Sequence, residues 1–183
     1  MRIIAGRHKG RRLEAPGWPG LRPTGDKLRE TLFNIVSADV PGARVLDGCA
    51  GTGAVGLEAL SRGAAHVTFV DRDRRALDLV GRNLARCGIG EGYAIIRADL
   101  GTAAPHLPPA GFDLIFLDPP YDTDPAVVVR AVEESLAPGG LLVVEHARRR
   151  ETPEAIGRLV RVRVVTSGDS ALGFYRIRSA SAA

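Results

Sequence analysis

Cysteine is scarce in this chain of 183 residues: only Cys49 and Cys87 occur, one inside a glycine-rich stretch and one late in a predicted helix. Two thiols make no disulfide framework, and their scarcity fits a reducing, cytoplasmic setting. No apolar run reaches membrane-spanning length and no apolar signal segment follows Arg2, so the expectation is an unanchored protein with no membrane partner. The four histidines, His8, His66, His106 and His146, lack metal-ligand spacing, and there is no G-x-S-x-G elbow. Neither a metal centre nor a nucleophilic triad is therefore expected. Internal repeats are absent, and the only biased tract is the Ser- and Ala-rich end.

What is present fits one soluble globular domain: 45% hydrophobic and 25% charged residues in a chain long enough for a sizeable core. The formal charge is +4, and it is unevenly placed. Residues 1–30 hold eight Lys or Arg (Arg2, Arg7, Lys9, Arg11, Arg12, Arg22, Lys27, Arg29) against Glu14, Asp26 and Glu30, which leaves the rest of the chain near −1. A basic end of this kind suits a polyanion such as RNA or DNA; a solvated charged surface is the plainer reading.

Ile3-Ile4-Ala5-Gly6 and Arg11-Arg12-Leu13-Glu14 read as two short strands around the basic turn Arg7-His8-Lys9-Gly10. After a Pro- and Gly-rich loop, Leu28, Leu32, Ile35 and Val36 mark one face of a helix over Asp26 to Val36, with Thr24 at its N-cap. Beyond Pro41-Gly42 strands alternate with helices. Strands are expected at Arg44 to Asp47, His66 to Asp71, Tyr93 to Arg97, Phe112 to Leu117 and Leu141 to Glu145. Helices are expected at Gly53 to Arg62, at Arg74 to Cys87 starting near Asp73, and at Pro125 to Leu136. This alternation implies a parallel sheet with right-handed crossovers. Arg161 to Thr166 and Gly173 to Ile177 are too close together for a crossover and predict an antiparallel hairpin.

Two stretches carry the chemistry. The first, Val45-Leu46-Asp47-Gly48-Cys49-Ala50-Gly51-Thr52-Gly53, ends a strand in a carboxylate and then breaks into glycines. Gly51 to Gly56 matches the dinucleotide fingerprint G-x-G-x-x-G, with Asp71 twenty residues after Gly51. Asp47 argues against a dinucleotide, because a helix N-terminus aimed at a pyrophosphate gains nothing from a carboxylate just before it. A cationic ligand such as S-adenosylmethionine, with an ammonium, a sulfonium and no phosphate, reverses that preference. For an adenosyl ligand, Asp71 would accept from the ribose hydroxyls and Asp99 from the adenine amine. A P-loop is excluded, since Ala54-Val55 stand where Lys and Ser or Thr are required; ordinary βα-turn glycines and capping aspartates would use the same residues.

The second stretch is Asp118-Pro119-Pro120-Tyr121. Two prolines remove two donors, so Asp118 and the neighbouring carbonyls face a site as acceptors. An exocyclic amine held by Asp118 and the Pro119 carbonyl would be oriented for attack, while Tyr121 stacks on its base.

These four residues resemble the Asn-or-Asp, Pro, Pro, aromatic motif of S-adenosylmethionine-dependent amino methyltransferases. The stretch from Arg22-Pro23-Thr24-Gly25-Asp26 to Asn34 is similar to the N-terminal motif of the bacterial RsmD family, and the resemblance runs from Arg2 to Tyr175. It implies a Rossmann-like class I methyltransferase fold, α/β, with a mostly parallel seven-stranded sheet, an antiparallel C-terminal hairpin and a small N-terminal hairpin and helix. It also implies one compact domain in which residues 1–42 form an RNA-facing extension and residues 43–183 the core. The implied activity is methylation of a guanine N2 in 16S ribosomal RNA, by a monomer acting on the RNA or on a partly or fully assembled small subunit. Asp47, Gly48, Ala50, Gly51, Gly53, Asp71, Arg72, Asp99, Leu100 and Asp118 would surround the cofactor, and Asp118, Pro119, Pro120 and Tyr121 would be catalytic. Arg7, Lys9, Arg11, Arg12, Arg22, Thr24, Lys27 and Arg29 would contact RNA beside the cofactor mouth, with Arg148-Arg149-Arg150 as a further basic stretch. The sequence departs from the family pattern at Gly48, where an apolar residue is usual, at Asp71, where Glu is commoner, and at Lys27, an Arg position. Other readings stay open: an amino methyltransferase acting on DNA or on a protein glutamine, or a non-catalytic RNA-binding module.

Overall fold

Val-, Ile- and Leu-rich runs, each followed by a carboxylate or glycine, become the strands of a single sheet in the computed structural model, which describes residues 1–18, 25–120 and 122–178. The parallel part comprises β1 (Arg44–Gly48), β2 (His66–Asp71), β3 (Tyr93–Arg97), β4 (Phe112–Leu117) and β5 (Leu136–Ala147). Antiparallel β6 (Ala155–Ile156), β7 (Leu159–Ser167) and β8 (Ser170–Ile177) complete the order β3-β2-β1-β4-β5-β8-β7-β6. Helices α2 (Ala54–Ser61), α3 (Arg74–Arg86), the single turn α4 (Leu100–Ala103) and α5 (Pro125–Val132) cross over between the parallel strands, and α1 (Asp26–Ile35) precedes them.

Both sheet faces are covered, which is why the central strands are apolar without alternation. Val45, Phe69, Phe116 and Val143 pack on one side with residues of α1, α2 and α3. Leu46, Val70, Leu117 and Val144 pack on the other with Leu100 of α4 and Val129 of α5.

Three expectations are corrected. Among the described residues the sheet has eight strands rather than seven: Ile156, 1% exposed, pairs with Leu159 across a two-residue Gly157-Arg158 turn in which Gly157 has φ +56°. The helix expected to reach Leu136 stops at Val132 and tightens into a 3₁₀ turn, because Leu136 already pairs with Phe112 of β4. The pairing then jumps to Leu114 with Leu141, so Ala137 to Gly140 bulge out of the ladder. Helix α1 has Gly25 rather than Thr24 at its N-cap, with no side-chain cap; Thr24 lies outside the described residues.

The N-terminal hairpin is thinner than its sequence predicts. One antiparallel bridge, Arg2 with Arg12, joins its arms, with backbone hydrogen bonds from Ile3 N–H to the Arg11 carbonyl at 3.0 Å, Gly10 N–H to the Ile3 carbonyl at 2.9 Å and Leu13 N–H to the Met1 carbonyl at 3.2 Å. Its first arm also gives amides to α2: Ile4 and Ala5 N–H donate to the two Glu58 carboxylate oxygens at 2.7 and 3.0 Å, and Arg7 N–H to the Ser61 carbonyl at 2.8 Å. Glu58 also accepts from Arg62 Nε at 2.7 Å and is fully buried. Gly6, at φ +81°, is obligatory here, since a Cβ would fall 1.9 Å from the Ser61 carbonyl oxygen. Ile3, Leu13, Leu28, Leu32, Phe33 and Val36 join the same core as the central strands, so the N-terminal hairpin and α1 are packed onto the sheet and not appended to it.

Glu58→Ala should cost about 3 kcal/mol of unfolding free energy in a urea titration, because it orphans two amides and leaves half-buried Arg62 without its ion pair. Glu58→Gln, which keeps one acceptor, should cost less.

Candidate functional site

The strand order reverses direction between β1 and β4: the chain steps outward through β2 and β3, then returns to the other side of β1 for β4 and β5. Sheets of this kind open a crevice at the carboxyl ends of the two strands flanking such a point. Here those ends carry the two chemistry-bearing stretches of the sequence, Asp47 to Gly53 after β1 and Asp118 to Pro120 after β4.

The β1 end is a coil of left-handed residues. Cys49 has φ +62°, Gly51 +54° and Gly53 +73°. Gly53 forms the N-cap of α2, where a Cβ would lie 2.8 Å from Leu57 and 3.0 Å from Val80. Gly56 lets α2 sit directly on β2, since a Cβ would lie 2.3 Å from the Phe69 ring. Gly48 leaves no room either: a Cβ would approach Leu117 to 2.7 Å and Leu100 to 3.3 Å, which explains the departure at this position. Ala50 is buried and its N–H donates to the Val70 carbonyl at 3.0 Å.

Asp47 is 4% exposed, and its Oδ2 accepts from Gly56 N–H at 2.8 Å. The carboxylate thus occupies the anion-binding position at the start of α2, where a dinucleotide would place its pyrophosphate. Burial pushes its pKa up to about 7, against the lowering effect of the Gly56 hydrogen bond, with Asp71 raising it further. Asp71 spans the mouth: Oδ2 accepts from Gly51 N–H and Oδ1 from Asp73 N–H, both at 2.9 Å. Each oxygen retains a second lone pair toward the crevice side. Arg72 is exposed beside it. Asp99 caps α4, Oδ1 accepting from Gly101 N–H at 3.0 Å, so the capping role is real and leaves Oδ2 for a ligand; Leu100 turns into the core.

Asp118 continues the ladder past β4, its N–H donating to the Gly48 carbonyl at 3.3 Å. Pro119 is buried and Pro120 exposed. The turn is closed by Thr123 N–H on the Pro120 carbonyl, and Arg150 Nη1 donates to the Thr123 carbonyl at 2.6 Å, so one arginine of the basic run after β5 holds this loop. Tyr121, Arg22 and Thr24 lie outside the described residues.

Cys49 is not among the site residues expected from the sequence, yet it marks the centre. Its thiol is pushed up to about 12, first by burial and then by Asp71, Asp118, Asp47 and Asp99. Carboxyl groups from the ends of four adjacent strands thus all act electrostatically on this one thiol. The signal available in the sequence is a non-glycine residue in a glycine coil. Asn83 is a second such omission: fully buried on α3, it accepts from Glu14 N–H at 2.7 Å and donates to the Thr52 carbonyl at 3.1 Å, tying the hairpin to the glycine coil. Among the described residues no cluster of His, Cys, Asp or Glu could hold a metal ion.

The basic residues divide. Arg7, Lys9, Arg11, Arg12 and Lys27 are exposed. Arg29 is not a surface cation: it is 0% exposed, with Nη2 donating to the Arg2 carbonyl at 2.6 Å and to Asp26 at 3.1 Å. It lies one turn before buried Phe33 on the core stripe of α1, and burial lowers its pKa despite Asp26 and Glu58. The basic turn is also not at the mouth. Arg7 and His8 are anchored on Ser61, at the C-terminal end of α2, whereas Met1 and Glu14 meet Thr52 and Asn83 at the crevice end. The tip therefore stands roughly 12 Å from the crevice, the length of an eight-residue helix.

Comparison with known proteins agrees with this geometry. Residues 1–176 match the family model described as Conserved hypothetical protein 95. The Bacillus subtilis protein YlbH is 39% identical over 183 residues, covering 97% of this chain and all of that one. The Haemophilus influenzae protein named Ribosomal RNA small subunit methyltransferase D is 36% identical over 161 residues, covering 84% and 83%. The solved structure of the Escherichia coli protein yhhF superposes with a TM-score of 0.82 at 33% identity, covering 98% of each chain.

Asp47 generates a pH prediction. A carboxyl group whose pKa rises on folding stabilises the fold below about pH 4, and that contribution is lost as pH rises through about 7. Asp47→Asn, which keeps the Gly56 acceptor, should therefore melt at a higher temperature than the wild type at pH 8 in ligand-free protein. The difference should shrink toward pH 4.

Proposed function

The chain belongs to the family described as Conserved hypothetical protein 95, and from that premise we propose that it transfers a methyl group from S-adenosylmethionine to the exocyclic N2 of a guanine in small-subunit ribosomal RNA. The observation that carries the reading is the placement of Asp47, Asp71, Asp99 and Asp118 at the ends of four adjacent strands around the glycine coil, beside a double-proline turn at the sheet's switch point. A site that gathers acids and fills its own helix N-terminus with a carboxylate favours a cationic ligand over a phosphate. The name of the Haemophilus influenzae relative, and the exposed Arg7, Lys9, Arg11 and Arg12, support small-subunit RNA as the acceptor.

S-adenosylmethionine supplies a methyl group activated by its sulfonium. The residues fit it: Asp71, with a lone pair left on each oxygen, would accept from the ribose hydroxyls, Asp99 Oδ2 would accept from the adenine amine, and the glycine coil would admit the close backbone approach. Asp118 and the Pro119 carbonyl hold the target amine, localise its lone pair and stabilise the positive charge that grows on nitrogen during attack. Positioning supplies most of the rate. The proton leaves N2 after the new N–C bond forms, to Asp118 or to water. Tyr121 stacks on the base. The exposed basic turn contacts phosphates about two nucleotides from the flipped base, fixing the register of the RNA without reading its sequence. In this reading residues 1–42 form the RNA-facing part of a monomeric enzyme, residues 43–183 the transferase, and the substrate is a partly or fully assembled small subunit.

Small subunits from cells lacking the gene, incubated with the protein and isotopically labelled S-adenosylmethionine, should yield labelled N2-methylguanosine on nucleoside mass spectrometry. Labelled N6-methyladenosine or N4-methylcytidine would overturn the base, and no label the reaction. Asp118→Ala should lower turnover by at least about 100-fold with cofactor affinity nearly unchanged. Arg11→Glu with Arg12→Glu should weaken RNA binding and flatten its salt dependence by roughly two charges.

A further inference from the structure

The N-terminal tip holds only part of the exposed positive charge. Residues 72–97 carry six arginines, Arg72, Arg74, Arg75, Arg82, Arg86 and Arg97, against Asp73, Asp78 and Glu91, and all six are exposed. On α3 the helical period places Arg74, Leu77, Asp78, Gly81 and Arg82 along one stripe. Strand β3 is an edge of the sheet, and its parallel register with β2 sets Ile95 beside Phe69 and Arg97 beside Asp71. Phe69 packs in the core with Val80 and Leu84 of α3, so Ile95 and Arg97, two residues apart, turn to the side that α3 covers.

Between α3 and β3 lies an open groove of about 750 Å³, to which Arg74, Arg82 and Arg97 bring charge and Leu77, Gly81 and Ile95 an apolar lining. Asp78 is its one acid among the described residues. A solvated helix face is the plain alternative, since Arg74 pairs with Asp78 at 3.9 Å and Arg82 with Glu14 at 3.0 Å. Both pairs are exposed, however, and exposed pairs are held weakly enough for a phosphate to compete for the guanidinium. Arg86 and Arg97 make no side-chain hydrogen bond or ion pair among the described residues. Nor does a solvated face account for Ile95, 38% exposed on the groove side of an edge strand.

The groove also joins the two places that a bound RNA has to reach. Helix α3 starts just after Asp71 at the crevice and runs to Arg86, about 18 Å away. There a Cβ on Gly88 would lie 3.1 Å from Arg11 Nη1, so Arg11 of the basic tip rests against the far end of α3. Arg11 and Arg86 both act on the Cys87 thiol, lowering its pKa against the larger effect of burial. Positive charge therefore continues from the tip through Arg86 and Arg82 to Arg74 and Arg97 beside the crevice.

We infer that the α3–β3 groove carries a single RNA strand between the basic tip and the crevice, its phosphates on Arg86, Arg82, Arg74 and Arg97; the inference rests on the RNA methylation proposed above. A single strand offers what the groove is lined to meet, a negative charge on every nucleotide and apolar faces of sugar and base for Leu77 and Ile95. A polypeptide added to the edge of β3 would need carboxylates at the spacing of these arginines to do the same. Contacts of this kind hold the strand without reading its sequence.

The test compares two double variants on small subunits from cells lacking the gene. Arg86→Gln with Arg97→Gln removes two charges from the groove and no internal contact, whereas Arg163→Gln with Arg178→Gln removes two exposed charges near the other end of the sheet. The first pair should raise KM for the subunit about tenfold with kcat and S-adenosylmethionine affinity nearly unchanged, and should flatten the log–log salt dependence by about 1.4, roughly 0.7 per contact. The second pair should do neither; equal effects of the two pairs, or none from the first, would overturn the inference. A photo-crosslinker on Gly81→Cys, where a side chain meets nothing within 4 Å, then identifies the occupant. It should label the RNA within a few nucleotides of the methylated guanine, and labelling of a ribosomal protein, or of nothing, would overturn the inference while leaving methyl transfer intact. A wild type that methylates no RNA is a separate outcome: it overturns the methyl-transfer reading, and this inference with it.

Discussion

Negative charge collected in a poorly solvated place is the constraint on which this structure turns. Asp47, Asp71, Asp99 and Asp118 come from the ends of four strands that are consecutive in space, β1, β2, β3 and β4, and all four raise the pKa of the same thiol, Cys49. Such an arrangement is costly in the empty protein, as the displacement of Asp47 to about 7 records. The fold meets part of that cost with backbone amides: Gly56 for Asp47, Gly51 and Asp73 for Asp71, Gly101 for Asp99. What amides leave unbalanced, a cation can balance. The glycine coil, with three left-handed residues in five, supplies one of these amides, that of Gly51.

A second anchoring system holds the basic hairpin in register with the first. Glu58 on α2 and Asn83 on α3 clamp the two arms of the N-terminal hairpin, one near each end of α2. The hairpin's own cross-strand pairing is short, and these clamps fix it on the core. The basic tip is consequently held at a fixed distance from the crevice. A rigid spacing between phosphate contacts and a reacting base is what an enzyme that depends on positioning requires.

Much of this is legible in the sequence, and the exceptions have physical reasons. Strands β2, β3 and β4 are bounded to the residue because each apolar run is closed by charge or glycine. The end of α5 and the two-residue β6 are not, since pairing with β4 and β7 decides them and pairing is a long-range event. Arg29 shows the limit of reading charge as surface: its place on the core stripe of α1 is available from its spacing to Phe33, but its hydrogen bond to the Arg2 carbonyl is not. For Asp71 and Asp99 the sequence suggests a ligand, with capping as the plain alternative; the structure gives them backbone roles and leaves lone pairs over, so the two readings are compatible. Cys49 is marked in the sequence as a non-glycine residue in a glycine coil, but its place beside the four carboxyls needs the strand order.

The most direct measurement of the central claim is calorimetric titration of the ligand-free protein at pH 8 with S-adenosylmethionine and, separately, with NAD. Both ligands carry adenosine, so the comparison isolates the group attached to it: a sulfonium with its ammonium-bearing arm in one, a pyrophosphate in the other. An acid-lined crevice whose helix N-terminus is already occupied by Asp47 should bind S-adenosylmethionine at least about 100-fold more tightly. NAD bound as tightly, or more so, would contradict the account at its root.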